Sequence, residues 1–441
     1  MSQDSALAPF AAVFAEPAGS PIRELFPYLS RPGMISLAGG YPSPSLFDAE
    51  GLAQAAQQAM AQGPGALQYG ATEGLSELRE ALAQQARERG MHATAADILV
   101  TTGSQQAFDL LVRVLVEPGD TVLVEVPAYP ATLQALRLAQ ARILPVPMDE
   151  QGLQTEALAD LLAALPAGQR PKLLYTVPNF SNPRGTLLAA ERREALVQLA
   201  RQHGFWVVED DPYGELRFDE PGGIHQAMPG TVRAAGERLA EPGSNPVIYL
   251  SSLSKTVAPA LRVGWMLADA PLLRRCTVAK QTADLCTSPL TQSVAACYLA
   301  SGRYPATVQR ARQEYQRRMQ ALVQGLNAAP DSGIRCSRPA GGMFVWAELD
   351  RYIDRTPVDY QVGQPVELPV SGETPTAYKA IINDRHWGLI HKNEVFKFLR
   401  SGMHEKGFIK EVRAGGKIAL SLQQVGQALA DGLPEQIMQR L

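Results

Sequence analysis

The sequence predicts an α/β fold in which a mostly parallel, mixed sheet is sandwiched by helices and followed by a smaller α+β domain. Three observations predict it. From "GLAQAAQQAMAQ" to about residue 300, helical segments such as "LSELREALAQQARERG" alternate with short apolar runs: "ILVTTG", "TVLVEV", "KLLYTV", "FWVVEDD" and "VIYLSSLSK". Such alternation is the pattern of βαβ units. The polar residues of these segments gather after the apolar runs, at the carboxyl ends of strands, where ligands bind in sheets of this kind. Beyond about residue 301 the pattern changes to a long amphipathic helix, "YPATVQRARQEYQRRMQALVQGLNAAP", a strand pair around "GGMFVWAEL" and a closing helix in "GQALADGLPEQIMQRL".

These signals divide the chain into three parts. Residues 1–45 form a proline-rich, weakly periodic arm that joins part of the small domain. Residues 46–300 form the large domain, and 301–441 the C-terminal small domain with an atypical segment at 350–418. Within it, residues 350–393 are polar, proline-containing and without clear periodicity, so they read as a long functional or unstructured loop. Residues 219–245, rich in Gly, Pro and Glu, read as a second surface excursion.

Composition narrows the function. The 441 residues are 46% hydrophobic and 19% charged, as in ordinary globular proteins, and a chain this long exceeds one core. The net charge of -3 leaves no basic footprint for nucleic acid or an anionic membrane, which favours small-molecule chemistry. No apolar run reaches the ~18 residues of a membrane span. The N-terminal "ALAPFAAVFAEPAG" follows Asp4 and precedes the first arginine, Arg23, so no secretory signal is read and a cytoplasmic location is expected. Cys276, Cys286, Cys297 and Cys336 show neither CxxC pairing nor histidines at zinc spacing, so no metal site is expected. Cys286 and Cys297, in alanine-rich sequence, read as small buried thiols.

Five segments carry the chemistry. "TTGSQQAFDL" (101–110) follows a strand and opens a helix, with Ser104 as a natural N-cap; the free N–H groups there suit a phosphate. "VEVPAYPATL" (124–133) places Tyr129 at a strand end, either as a core aromatic or as a plane to stack on a flat ligand. "TVPNFSNPRG" (176–185) is a turn cluster in which Asn182 either forms the turn or donates to a ligand oxygen. "FWVVEDDPYGEL" (205–216) ends an apolar strand in three carboxylates, which need partners or a function; Asp210 and Tyr213 are spaced to meet one ligand.

The fifth, "SSLSKTVAPALRVGW" (251–265), holds Lys255 among hydroxyls, seven residues before Arg262. Most lysines after a strand are solvated charges. A lysine that can be neutral forms a Schiff base with a carbonyl, and an arginine fork suits a phosphate. A carbonyl-bearing phosphorylated ligand held by Lys255, Arg262, Ser252 and the helix start near Ser104 satisfies all five segments, and pyridoxal phosphate is that ligand.

With these motifs in place, residues from about 20 to 348 resemble the fold-type I pyridoxal-phosphate enzymes, specifically the class I/II aminotransferases of the aminoadipate, kynurenine and valine–pyruvate group. The likeness rests on "SPIREL", "GMISLAGGYPSPSLF", "LQYGATEGLSELREAL", "TTGSQQAFDLL", "VPAY", "PNFSNPRG", "VEDDPYGELRF", "SSLSKTVAPALRVGW", "KQTADLCTSPLTQ" and "PAGGMFVW", in the family's order. The resemblance implies that Lys255 forms the internal aldimine and moves the substrate's α-proton. It implies that Asp210 pairs with the pyridine nitrogen, that Asn182 and Tyr213 bond the cofactor's phenolic oxygen, and that Tyr129 stacks on the ring. Ser104, Gln105, Ser252 and Arg262 would hold the phosphate, with Tyr69 reaching the partner subunit's phosphate in a homodimer. Gly40 and Asn182 would lie near the substrate carboxylate, and Arg23 would read its distal group.

One departure stands out. The family's small domain ends in a strand whose arginine clamps the substrate carboxylate. Aligning that motif on "IALSLQQVGQALADGL" puts Ala419 at its place, with Arg413 and Lys417 as nearby basic residues. Two enzymatic readings follow: amino transfer between an amino acid and a 2-oxo acid, or elimination, replacement, oxidation or cyclisation on the same fold. A third, a DNA-binding regulator, is disfavoured because only about 20 residues precede "SPIREL" and the charge is acidic.

Overall fold

The computed structural model describes residues 8, 10–15, 33, 37, 39–166, 168–219, 228–241, 243–328, 334–349, 359–374, 376–383, 385–395, 399–400, 403–413 and 418–423. Arg23, Lys417 and the expected closing helix lie outside them. The chain divides into two compact units, one of residues 1–322 with 337–346, the other of 323–336 with 347–441.

The first unit is built on an eight-stranded sheet: β1 (Ile98–Thr101), β2 (Thr121–Val126), β3 (Arg142–Asp149), β4 (Gly152–Leu153), β5 (Leu173–Thr176), β6 (Trp206–Asp210), β7 (Val247–Ser252) and β8 (Gly264–Leu267), in the order β1-β8-β7-β6-β5-β2-β3-β4. Strands β3, β2, β5, β6 and β7 run parallel, and β8 lies antiparallel between β7 and β1. The inner parallel strands β2, β5, β6 and β7 are buried along nearly their whole length. That explains their continuous Val/Leu/Ile runs, since a parallel strand is covered on both faces.

Helices α1 (Ala49–Ala61), α2 (Ser76–Glu88), α3 (Ser104–Leu115), α4 (Pro130–Leu138), α5 (Thr155–Ala164), α6 (Ala190–His203), α7 (Val232–Leu239), α8 (Ala270–Ala283) and α9 (Pro289–Ala300) complete this unit, with α10 beginning at Tyr304 and running to Asn327. The periodicity of α3 shows why these segments are helical. Ala107, Phe108, Leu111 and Val112 recur at helical spacing and are buried, while Gln105 is exposed. Helix α6 stops at Gly204, whose left-handed φ of 71° a side chain would resist. Two apolar clusters form the core, one centred on Leu78, Leu82, Tyr249 and Tyr298, the other on Leu123, Leu174, Leu196 and Val207. Truncating any of these leucines to alanine costs about 2–5 kcal/mol.

The sequence reading of 219–245 as a surface excursion is corrected by α7, whose Val232–Gly236 stretch is buried. The reason is Glu209 in β6, which accepts the backbone N–H groups of Val232 (3.0 Å) and Arg233 (2.8 Å) and draws that helix start inward. Cys286, read as buried, is half-exposed; Cys276 and Cys297 are buried.

The second unit carries a two-stranded ribbon, β9 (Ile334–Cys336) with β10 (Ala347–Leu349), and a closed five-stranded barrel. The barrel consists of β11 (Pro365–Glu373), β12 (Ala377–Ile382), β13 (His386–His391), β14 (His404–Val412) and β15 (Ile418–Ser421), in the order β11-β12-β13-β15-β14. Its core joins Leu368, Ala380, Ile382, Ile390, Ile409 and Leu420. The expected loop at 350–393 is thus corrected: β11, β12 and β13 occupy its described part. The alternation was hidden because the outward positions of β12 and β13 include apolar residues, Ile381, Trp387 and Leu389, as well as polar ones.

Candidate active site

The sheet topology brings the five segments to one edge. Because β1, β2, β5, β6 and β7 point the same way, the residues after Thr101, Val126, Thr176, Asp210 and Ser252 converge. Strand β8 starts at this edge: Gly264 pairs with Thr101 on one side and Ser252 on the other, which sets Arg262 between the two turns.

The three carboxylates of β6 have separate fates. Glu209 holds the start of α7, and burial pushes its carboxyl up to about 7. Asp211 pairs with Arg89 at 2.5 Å and accepts the Tyr249 hydroxyl at 3.2 Å. Asp210 is different. The Tyr175 hydroxyl donates to its Oδ2 at 2.6 Å, while its buried Oδ1 has no hydrogen-bond partner. Burial raises the Asp210 carboxyl to about 6, with Tyr175 acting in the opposite direction. A buried acceptor with no donor costs free energy unless a ligand supplies the donor, and a protonated ring nitrogen is such a donor.

Lys255 lies in the turn after β7, with Nζ donating to the Gly40 carbonyl at 3.3 Å. Burial, with the Arg262 charge added, pushes its ammonium below the ordinary lysine range, and Asp210 opposes them. That shift favours a neutral, nucleophilic amine. Nearby, the Asn182 amide donates to the Tyr213 hydroxyl at 3.5 Å. Tyr213 is buried edge-on against Phe344, with ring centroids 5.5 Å apart, and burial raises its phenol. Tyr129 sits at the N-terminus of α4, where its phenol adds to the upward push on Tyr213.

The expected phosphate cradle is a close-packed turn. Arg262, at a left-handed φ of 51°, donates from Nη2 to the Thr102 carbonyl at 2.8 Å. A Cβ on Gly103 would stand 2.5 Å from that Nη2, and one on Gly264 would stand 2.4 Å from the Gly103 carbonyl carbon. Both glycines are therefore required by close approach, and the Ser104 and Gln105 N–H groups at the start of α3 have no intrahelical acceptor. Ser252 Oγ donates to Ser254 Oγ at 2.7 Å and accepts the Ser254 N–H at 3.1 Å. Ser104, expected as the N-cap, is instead the first helical residue; Gly103 takes the cap because its φ of 86° suits glycine. Gln105 is exposed in the first turn. Its neighbour Gln106 braces the turn, accepting the Thr102 N–H and donating to Asp284, both at 2.7 Å.

Sequence reasoning missed Tyr175, Phe344 and Gln106. Tyr175 stands opposite Val208, two residues before Asp210 on the neighbouring strand, so the two side chains share a face. A lone tyrosine in an otherwise apolar strand was the available signal. Phe344 closes on Gly40, where a Cβ would meet its ring at 2.7 Å. Tyr69 is 78% exposed. Ala419, aligned with the clamping arginine, is buried in β15 of the barrel, and Arg413 is engaged with Glu411 at 2.9 Å. Among the described residues, no cluster of three His, Cys, Asp or Glu side chains could hold a metal, and no helix is long and apolar enough to cross a membrane.

Comparison with known proteins identifies the family. Residues 34–387 match the model of aminotransferase class I and II. The chain is 38% identical over 339 residues to aromatic-amino-acid aminotransferase 1 of Thermococcus litoralis, covering 76% of this chain and 78% of that one. It is 39% identical over 333 residues to 2-aminoadipate transaminase of Thermus thermophilus, covering 75% and 79%. A crystal structure of the kynurenine aminotransferase of Pyrococcus horikoshii, in complex with PMP, superposes with a TM-score of 0.72 at 37% identity, covering 78% of this chain and 83% of that one. The chain belongs to the aminotransferase class I and II family and is a pyridoxal-phosphate-dependent transferase of amino groups.

Proposed function

We propose that the edge formed by Lys255, Asp210, Asn182, Tyr213, Tyr129, Ser104, Gln105, Ser252 and Arg262 holds pyridoxal phosphate, and that the enzyme exchanges an amino group between an amino acid and a 2-oxo acid there. The observation that carries the reading is the pairing of a buried, unpartnered Asp210 Oδ1 with a lysine whose ammonium is depressed. When bound, pyridoxal phosphate supplies the aldehyde that takes up the amino group and the ring that accepts the electrons released at the substrate's α-carbon.

The chain's own residues do the rest. Asp210, held by Tyr175, would keep a proton on the ring nitrogen, because a buried carboxylate favours a nearby cation. Lys255 Nζ would hold the cofactor through its aldehyde and, as a neutral amine, would carry the substrate's α-proton. Asn182 and Tyr213 would donate to the cofactor's phenolic oxygen, and Tyr129 would supply an aromatic plane for its ring. Arg262, Ser252, Ser104 and the N–H groups opening α3 hold the phosphate. The relatives' names support an aromatic or long-chain 2-amino acid as donor. Tyr69, exposed on one chain, fits a phosphate contact from a second copy in a homodimer. Four unpaired thiols fit a reducing, cytoplasmic setting.

The test is the half-reaction. Incubating the enzyme with phenylalanine or 2-aminoadipate alone is expected to release one equivalent of 2-oxo acid per site and stop until a 2-oxo acid acceptor is added. Continuous turnover without acceptor would instead support elimination or a related reaction, which the buried Ala419 in place of a clamping arginine keeps in view.

A further inference from the structure

None of the residues assigned to the chemistry above lies in the barrel of the second unit, and its composition departs from the rest of the chain. Residues 365–421 contain nine Lys and Arg against six Asp and Glu, whereas the whole chain has 41 against 44. Strands β12 and β13, the second and third of the barrel, pair in a register that sets Lys379 opposite Leu389 and Ile381 opposite Trp387. Their alternate residues Ala380, Ile382, Gly388 and Ile390 point into the core, so Lys379, Ile381, Trp387 and Leu389 share the outer face.

That face exposes 40% of Trp387 and 37% of Leu389. An exposed tryptophan on a strand costs solvation that a ligand's flat face would relieve. Cations border it. Lys379 on β12 and Arg385 in the turn between the two strands are exposed, and neither is paired with a carboxylate among the described residues. Lys392 follows β13, 2.7 Å from Glu373, with its ammonium 5.2 Å from the Tyr378 ring centroid. An aromatic plane bordered by exposed cations is what a strand of bases joined by phosphates requires: each base offers a π-face and each linkage a negative charge. Barrels of this strand order commonly use the face of their second and third strands for oligonucleotides or oligosaccharides. The excess of cations selects the former.

We propose that the β12–β13 face binds single-stranded nucleic acid, with Trp387 stacking on a base and Lys379 and Arg385 meeting its phosphates. The proposal is independent of the amino-transfer reading, and the two can fail separately.

The test uses the full-length holoenzyme and fluorescein-labelled single strands of uridine or thymidine, about 12 nucleotides long, read by anisotropy. Saturable binding is expected that weakens as salt rises from about 50 to about 200 mM. Trp387→Ala is expected to weaken it at least about fivefold, Trp387→Phe less so, and Lys379→Ala to weaken it and lower the salt slope. Amino-transfer activity and the circular dichroism spectrum of Trp387→Ala are expected to match the parent, separating lost contact from lost fold. The proposal is overturned if no salt-dependent binding occurs or if neither substitution weakens it. It is equally overturned if maltohexaose displaces the strand, or if the parent ignores nucleic acid and Trp387→Ala merely dissociates an oligomer.

Discussion

The Tyr175 hydroxyl donates to Asp210 Oδ2 at 2.6 Å, while the buried Oδ1 has no hydrogen-bond partner. This hydrogen bond lowers the Asp210 carboxyl against a burial that raises it, so removing it moves the group further upward. Tyr175→Phe is therefore expected to shift the acidic limb of the half-reaction's pH profile to higher pH, with activity recovering as pH rises. A uniform loss of rate with an unmoved profile would mean that Tyr175 serves packing alone.

In the cofactor-free protein the raised carboxyls set a definite sign for stability. Asp210 rises from 3.8 to about 6, and Glu125 and Glu209 from 4.5 to about 7, in each case mainly through burial. A raised acid stabilises the fold in its protonated form, fully below the unfolded value, and loses that contribution as pH climbs through the folded one. Asp210→Asn is expected to stabilise the apoprotein at pH 8 by up to about 3 kcal/mol and by little at pH 4. Urea unfolding at both pH values checks this, and equal effects at both would refute it.

Lys255→Ala is expected to abolish borohydride trapping of the cofactor and to reduce the half-reaction to background. Intact mass after reduction measures it. A retained covalent adduct would mean another amine holds the aldehyde.

The Arg262–Gly103 contact predicts two losses of cofactor retention. Arg262→Ala removes a charge-assisted contact worth about 1.5–3 kcal/mol, or roughly 10- to 150-fold in Kd. Gly103→Ala places a Cβ 2.5 Å from the same guanidinium at a φ of 86°, so it is expected to weaken retention while leaving Lys255 intact. Titration of apoprotein with pyridoxal phosphate reads both, and unchanged affinity in Arg262→Ala would remove the arginine from the phosphate site.

If Tyr69 serves a second copy's site, mixing Lys255→Ala chains with Tyr69→Ala chains is expected to restore activity above either alone, through hybrid dimers with one complete site. Sedimentation as a monomer, or absence of complementation, would overturn that assignment.

The apolar runs and their helical spacers made the large sheet legible, because a parallel strand covered on both faces leaves an unbroken hydrophobic signature. Lys255, Asp210 and Arg262 were legible for a related reason: charges at the ends of buried strands must be paired or used. Tyr175 and Phe344 were not, since an aromatic in an apolar segment reads as core until strand register and turn packing show what it touches. The barrel was missed through the reverse error. Trp387 and Leu389 turn outward, so the period of two that marks a half-buried strand dissolved into apparent irregularity.

By itself, then, the sequence determined the family and its pyridoxal-phosphate chemistry, because the residue types that suit a phosphorylated aldehyde occur in short segments with their own turn signals. Only the tertiary structure decided which of three adjacent carboxylates keeps a buried oxygen without a hydrogen-bond partner, and that Ala419 lies buried in a barrel strand. Those outcomes depend on register and on long-range packing, where a shift of one residue exchanges the buried face of a strand for the exposed one.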